Sequence, residues 1–143
     1  MNKEISFKID DMVEDVYFFN YDHDYDKANR KELRFQFEHS IKLVKEKEQI
    51  LITVRVHIES NNEELVRQGV RAAFNVTPFD SFVTSADEHG VRISQPTLIG
   101  TFLNVLIGAV RGMLVKNLKG TPLDGVVIPL IPMSVIRQNA VKK

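Results

Sequence analysis

The sequence predicts an α+β domain with a four-stranded antiparallel sheet, one long helix and a short C-terminal helix. Several segments of the first half alternate apolar and polar residues, the period of two typical of strands with one wet face. A later apolar stretch ends in Gly120-Thr121-Pro122, as helices commonly do. A chain of 143 residues is long enough for one domain, so residues 1–143 are expected to form a single unit.

We place the strands at about residues 3–77. The first begins with Ile5, Phe7 and Ile9 on one face. The second strand spans Leu33–Ile41, and a fourth runs over about 64–76. The third has the clearest alternation, with five residues facing inward: Ile50, Ile52, Val54, Val56 and Ile58.

Two segments before the helix do not follow this alternation. The aromatic stretch from Tyr17 to Tyr21 and the acidic stretch from Asp22 to Asp26 are predicted to connect the first two strands irregularly. Residues 78–95 contain Pro78 and Gly90 and are predicted to be a loop.

The long helix is expected over about 97–119, with Thr97 as its cap. It is apolar on nearly every side, which indicates burial on more than one side. The prolines that follow favour an extended arm over 121–132. A terminal helix over 133–141 then begins after Pro132.

Gly100, Asn104, Gly108 and Gly112 recur every four residues and form one thin stripe on the helix. Such a stripe could pack helices within a membrane or in a soluble oligomer. The apolar stretch from Leu98 to Val110 is 13 residues long and is followed by Arg111. A helix that crosses a bilayer needs ~20 apolar residues. We therefore expect no membrane insertion and interpret the stripe as an oligomer interface.

The charges argue against a nucleic-acid partner. The net charge is zero, whereas nucleic-acid binding normally requires a basic surface. Residues 1–40 carry 6 basic and 10 acidic side chains, whereas residues 96–143 carry 6 basic side chains and 1 acidic side chain. The two ends of the chain thus have opposite net charges, which suits self-association. The chain has no cysteine and opens without a signal-peptide pattern, which favours a cytoplasmic location.

Sequence motifs for catalysis are missing from the chain, so we expect no catalytic residues and no cofactor. No phosphate-binding Gly loop, His-Glu-x-x-His or Gly-x-Ser-x-Gly is present. Asp22, His23, Asp24 and Asp26 could together hold a divalent ion, but no further ligands recur at fixed spacing. We interpret them as a solvated acidic loop, and we predict no metal site and no enzyme.

The helix end at Gly120-Thr121, the extended Val127-Ile128-Pro129-Leu130 and the last helix from Met133 follow the four strands in a familiar order. From about residue 5 to 137 this order resembles the SecB family of export chaperones. In that family a long helix ends in Gly-Thr, an extended Pro-containing stretch follows, and then a second helix. Here Gly120-Thr121 ends the helix, Val127-Ile128-Pro129-Leu130 takes the place of the family's Leu-x-Pro-Val step, and Met133 to Ile136 begins the last helix. The order of the four strands also matches.

The resemblance implies helices on one side of the sheet and dimers that pair into tetramers. It also implies a holdase, a chaperone that binds unfolded polypeptide clients without ATP, in protein export or in a toxin–antitoxin-type pathway. The family's acidic character and its Cys/His zinc tail, which docks the translocation ATPase, are missing here. The sequence therefore gives no basis for that ATPase as a partner. A SecB-fold adaptor for one dedicated protein is the alternative.

A client-binding site is predicted from aromatic residues that strand alternation leaves unexplained. Neighbouring rings cannot all enter one face of a strand, so some should stay accessible. The predicted site comprises aromatic residues of two connections and two residues of the arm: Phe18, Phe19, Tyr21, Phe79, Phe82, Val127 and Ile131. The alternative is that these rings close the edges of the core or a subunit interface.

Overall fold

A computed structural model of the chain describes residues 4–25, 32–87 and 90–130. Its elements, in chain order, are β1 (Ser6–Phe19), β2 (Arg34–Val44), a 3-10 turn (Lys45–Lys47), β3 (Gln49–Ser60), β4 (Glu63–Thr77), α1 (Phe79–Phe82), β5 (Val83–Asp87), β6 (Gly90–Ile93) and α2 (Pro96–Asn117).

The four long strands form one antiparallel sheet in the order β1-β4-β3-β2. The connection after β1 therefore crosses from one edge of the sheet to the other. Helix α2 packs on the face formed by the central strands β3 and β4. These features confirm the predicted α+β class and the antiparallel sheet.

The core lies between the sheet and α2. All five inward residues predicted for β3 are buried, and its remaining residues are only partly exposed or less. Phe74 of β4 stacks on Phe102 of α2 with ring centroids 4.1 Å apart. Alternation predicted this face because one side of the sheet is covered by the helix and the other is open to water.

Strand β1 is longer than the sequence indicated. The segment from Tyr17 to Phe19, predicted as irregular, continues the strand and pairs with β4. The register shifts between Ile9 and Asp11 and again between Glu14 and Val16. Each irregularity interrupts the period of two, so the alternation in the sequence ends although the strand continues.

Residues 78–95, predicted as a loop, are more ordered than expected. They contain the short helix α1 and a hairpin of β5 and β6, which pair as a separate two-stranded sheet. The hairpin also has a register shift, between Val83 and Ser85. Strands this short are hard to distinguish from a loop by periodicity.

Helix α2 lies close to its predicted limits. Gln95, not Thr97, is the N-cap residue, and Pro96 occupies the first turn. By length and composition α2 could cross a membrane, but half of its most apolar window is buried inside the fold. That burial agrees with a core helix.

A hydrogen-bonded turn follows α2. Gly120 and Gly125 adopt positive φ of 79° and 88°, and the backbone N–H of Gly120 donates to Oδ2 of Asp124 at 3.1 Å. Residues 126–130 then run without helix or strand, as predicted for the arm. The predicted terminal helix over 133–141 lies outside the described residues.

Candidate functional site

Aromatic rings meet where β1 ends. Phe19 is buried, and its ring centroid lies 4.6 Å from that of Tyr21 and 5.5 Å from that of Tyr25. The hydroxyl of Tyr25 donates to the carbonyl of Asn20 at 2.6 Å. We call Phe19, Tyr21, His23 and Tyr25 the aromatic corner.

The aromatic corner is fixed to the turn between β3 and β4. The amide side chain of Asn20 donates to Oε1 of Glu63 at 2.9 Å, and Nδ1 of His23 lies 3.0 Å from Oε2 of Glu63. The hydrogen bonds from His23 and Asn20 lower the pKa of Glu63. Burial, together with the nearby charge of Glu63, raises the pKa of Tyr25 to about 12. The start of the crossover is thus a defined structure.

Two of the predicted client-binding aromatics are accessible. Tyr21 is 73% exposed and Phe18 is 40% exposed. Phe18 lies on the open face of the sheet, with the guanidinium carbon of Arg67 5.4 Å from its ring centroid. The cation–π attraction between this guanidinium and the ring stabilises the partly exposed Phe18 side chain.

The other three predicted aromatics are buried in the chain. Phe82 is fully buried, and Phe79 and Phe19 are nearly so. The backbone N–H of Phe79 donates to Oε2 of Glu48 at 3.2 Å, which ties α1 to the turn before β3. These rings are core residues in this structure, in line with the alternative that some of the rings close the core.

The arm contributes one accessible member of the predicted site. We call Val126–Leu130 the strap. Val127 is 54% exposed and Leu130 is 89% exposed, whereas Val126 and Ile128 are buried. Ile131, the other predicted arm residue, lies outside the described residues. Leu130 was not among the residues predicted for the client-binding site.

The residues of the small-residue stripe have different surroundings. Gly100 is buried in the core, whereas Asn104, Gly108 and Gly112 are exposed. A Cβ added at Gly108 or Gly112 would have no atom of the described residues within 4 Å. No described residue of the same chain therefore packs closely on the helix at these two positions, and the oligomer interface stays a prediction.

Apolar residues border the exposed part of the stripe. Val105 and Val115 project from the outward side of α2 and are partly exposed. Phe7 and Ile9 of β1 are about half exposed on the side of the sheet that carries the helix, and the Phe7 ring contacts Phe102 edge-on at 5.8 Å. Apolar surface is therefore accessible on the outward side of α2 and on strand β1 at the edge of the sheet.

The open face of the sheet carries a charged network that sequence reasoning missed. His57 lies between two carboxylates, with Nδ1 2.6 Å from Glu64 and Nε2 3.1 Å from Glu38. Glu64 also pairs with Arg67. The network continues to β1 through Nε of Arg55, which donates to Oδ2 of Asp15 at 2.6 Å. The charges at alternate positions of β3 were the available signal, but their partners lie on three other strands.

A second polar cluster joins the end of α2 to the sheet. The side chain of Gln68 is buried; its Nε2 donates to Glu14 at 2.9 Å, and its Oε1 accepts from Asn117 at 2.8 Å. The hydroxyl of Tyr17 donates to the carbonyl of Asn117 at 3.2 Å. Because buried polar groups are costly unless paired, this cluster fixes the helix end on β1 and β4.

We recognise no catalytic arrangement in either the His57 network or the Gln68 cluster. In the described part of the chain no three His, Asp or Glu side chains are grouped so as to hold a metal ion. Asp22 and Asp24 of the acidic stretch are exposed, and Asp26 lies outside the described residues. The absence of a metal site stays a prediction.

Neither the protein-family models nor the curated proteins contain a match to this sequence. Among solved structures, the fold matches the SecB-like chaperone Rv1957 of Mycobacterium tuberculosis, solved in complex with a ChAD peptide from the Rv1956 HigA1 antitoxin. The TM-score is 0.60 over 88% of each chain, at 10% sequence identity. The fold is SecB-like.

A protein of unknown function from Streptococcus agalactiae also aligns over 90% of this chain and 100% of its own, but with a TM-score of 0.34 and 9% identity. That similarity is too low to carry an argument. The SecB-like fold confirms the resemblance at the level of architecture.

Proposed function

We propose that this protein is an ATP-independent, holdase-type chaperone that binds non-native polypeptides as a homo-oligomer. The observation that carries the proposal is the coincidence of a SecB-like fold with exposed large apolar side chains, among them Phe18, Tyr21, Val127 and Leu130. Exposed apolar surface on a folded protein commonly marks an interaction site.

The chemistry of these positions suits unfolded clients. Phe18 and Tyr21 offer ring faces, while Val127 and Leu130 offer aliphatic surface on an extended backbone. Such a surface binds apolar side chains of many sequences, because apolar contact is non-directional. An extended client could add main-chain hydrogen bonds of the strand type.

Assembly through the outward side of α2 is part of the proposal. In the described part of the chain nothing covers the helix backbone at Gly108 and Gly112, and Val105 and Val115 on the same side are partly exposed. No Asp or Glu occurs in α2, so a second copy could approach this face without burying an acidic side chain. We propose a dimer that can pair again into a tetramer.

A SecB-fold adaptor for one dedicated partner is the second candidate. It is favoured by the solved complex of the similar Mycobacterium tuberculosis chaperone, whose partner is a peptide from an antitoxin. The same observation supports a toxin–antitoxin-type pathway over protein export as the setting. The range of client proteins separates the two candidates, because a holdase suppresses aggregation of several unrelated proteins and an adaptor acts on one.

Replacing Phe18 and Tyr21 with Ser tests the exposed aromatics. We expect the double variant to lose at least about half of its anti-aggregation activity toward several unrelated unfolded proteins, because a few aromatic residues often dominate binding energy. Light scattering of the heated client proteins measures this activity. Lys42→Ser, at an exposed position of β2, is the control and should retain full activity.

Variants of the buried rings are expected to affect folding rather than client binding. Phe19→Ser and Phe82→Ser each remove a core side chain and should destabilise the fold by about 3–5 kcal/mol, so they do not report on clients. A Phe18/Tyr21 double variant with full activity and normal assembly would contradict the proposed site.

A further inference from the structure

The strap lies on α2 through two kinds of contact. Nε of Arg111 donates to the carbonyl of Ile128 at 3.1 Å, and Nη2 of the same guanidinium donates to the carbonyl of Pro129 at 3.1 Å. Along the strap, Val126 and Ile128 are buried and Val127 is exposed. The contacts are thus alternate apolar side chains and a pair of main-chain carbonyls.

These contacts are of the kind that can hold an extended peptide of variable sequence. A pocket for alternate side chains selects only apolar character, and main-chain carbonyls are common to every peptide. Within residues 4–25, 32–87 and 90–130, the side-chain hydrogen bonds to the strap are the two from Arg111. Binding there depends on extended shape and one or two apolar residues.

Residues 127–130 of the strap can leave while Val126 stays in the turn before them. In that turn Thr121 N–H donates to Leu118, Asp124 N–H to Thr121 and Val126 N–H to Leu123, and none of these bonds involves the residues after Val126. Beyond the turn, Ile128 is the one buried side chain among the described residues 127–130. Release of the strap therefore breaks few contacts.

We propose that the strap occupies a peptide-binding seat on α2 and that an extended apolar segment of a client displaces it. The chain's own residues 127–130 are then an intramolecular competitor. The inference rests on the proposed function for the identity of the displacing molecule. The seat is a separate claim, because Arg111 and the position of Ile128 define it in the chain alone.

The absence of native cysteine allows a direct test in the full-length chain. A single thiol in Ile128→Cys should react slowly with Ellman's reagent because this side chain of the strap is buried, whereas Leu130→Cys should react freely. If Ile128→Cys does not fold, Ile128→Met, which nearly keeps the side-chain volume, is the second variant, and the NMR signal of its ¹³C-labelled methyl group reports the same release. Melting curves confirm that each variant is folded.

Two probes are then added. The first is reduced, carboxymethylated α-lactalbumin, a permanently unfolded protein without free thiols, whose binding is followed independently by anisotropy. The second is a synthetic peptide of residues 123–130. Saturating probe should accelerate the thiol reaction of Ile128→Cys by about tenfold or more, since it shifts the population toward the released strap. The rate of Leu130→Cys should not increase.

The outcomes separate the two proposals. If α-lactalbumin binds but the buried thiol reacts no faster with either probe, the strap inference is overturned and the holdase function stands. If the synthetic peptide accelerates the reaction while α-lactalbumin does not bind, the holdase function fails and the seat stands. If neither probe binds or changes the rate, both are overturned.

Discussion

At the residue scale, Gly69 on β4 occupies a position without room for a side chain. A Cβ there would lie 2.8 Å from Cγ of Arg55, 2.9 Å from Oδ2 of Asp15 and 3.1 Å from Cγ1 of Val16. The glycine therefore lets Arg55 and Asp15 pair across the sheet, over the irregularity in β1.

We expect Gly69→Ala to push Arg55 and Asp15 apart and to lower the free energy of unfolding by about 1–3 kcal/mol, as overpacked sites do. Urea denaturation followed by circular dichroism measures the change. Arg71→Ala, two residues further along β4 and exposed, is the control and should change stability by less than about 0.5 kcal/mol. Equal stability of the two variants would show that the site relaxes freely.

The His57 network makes stability depend on pH. Burial lowers the pKa of His57, but the hydrogen bonds to Glu64 and Glu38 outweigh burial and raise that pKa above its ordinary value. The hydrogen bond from Arg67, followed by that from His57, lowers the pKa of Glu64 against the opposing effect of burial. Protonated His57 thus stabilises the folded chain fully below the ordinary histidine pKa, and this contribution is lost as pH rises through the raised pKa. The contribution of Glu64 is lost as pH falls through its lowered pKa.

His57→Gln should therefore destabilise the chain most near about pH 6 and progressively less toward about pH 9. Urea titrations of the variant and the unmodified chain across this range give the difference in free energy of unfolding. A difference that stays constant with pH would mean that the imidazole is neutral between its two carboxylates.

At the scale of elements, the sequence predicts regular pairing well and irregular pairing poorly. β3 was predicted from alternation because each of its inward residues is covered by α2. β1 was predicted too short because its two register shifts break the period of two. The β5–β6 hairpin was missed because its strands are short and one is shifted.

The same limit applies to the candidate site. Phe79 and Phe82 seemed unexplained because α1 and the hairpin were not expected, and the structure buries both rings. Phe18 and Tyr21 remain exposed, as the crowding of rings around Phe19 suggested. The seat of the strap could not be predicted, because its contacts join Arg111 to main-chain carbonyls that carry no sequence signal.

The outward side of α2 yields a prediction about assembly. Gly108→Leu should weaken the oligomer, because overpacking an interface costs about 1–3 kcal/mol. It should leave the single chain folded, since none of the residues that the structure describes lies within 4 Å of an added Cβ at Gly108. Light scattering gives the mass, and circular dichroism checks the helix. Unchanged mass with intact helicity would place the interface elsewhere.

At the scale of the whole molecule, the fold and the positions of the exposed apolar residues support the proposed chaperone function. The SecB-like fold packs one side of the sheet with α2 and leaves the other side to a charged network. Apolar residues remain exposed at the crossover, on the strap and on the outward side of the helix. In the proposed function the first two areas bind client and the third joins subunits.

The most direct test is the solution mass of the protein alone and with reduced, carboxymethylated α-lactalbumin, measured by size-exclusion chromatography with light scattering. The account predicts an oligomer of the 143-residue chain that gains the mass of bound client without added ATP. A monomer whose mass does not change in the presence of the unfolded protein would contradict it.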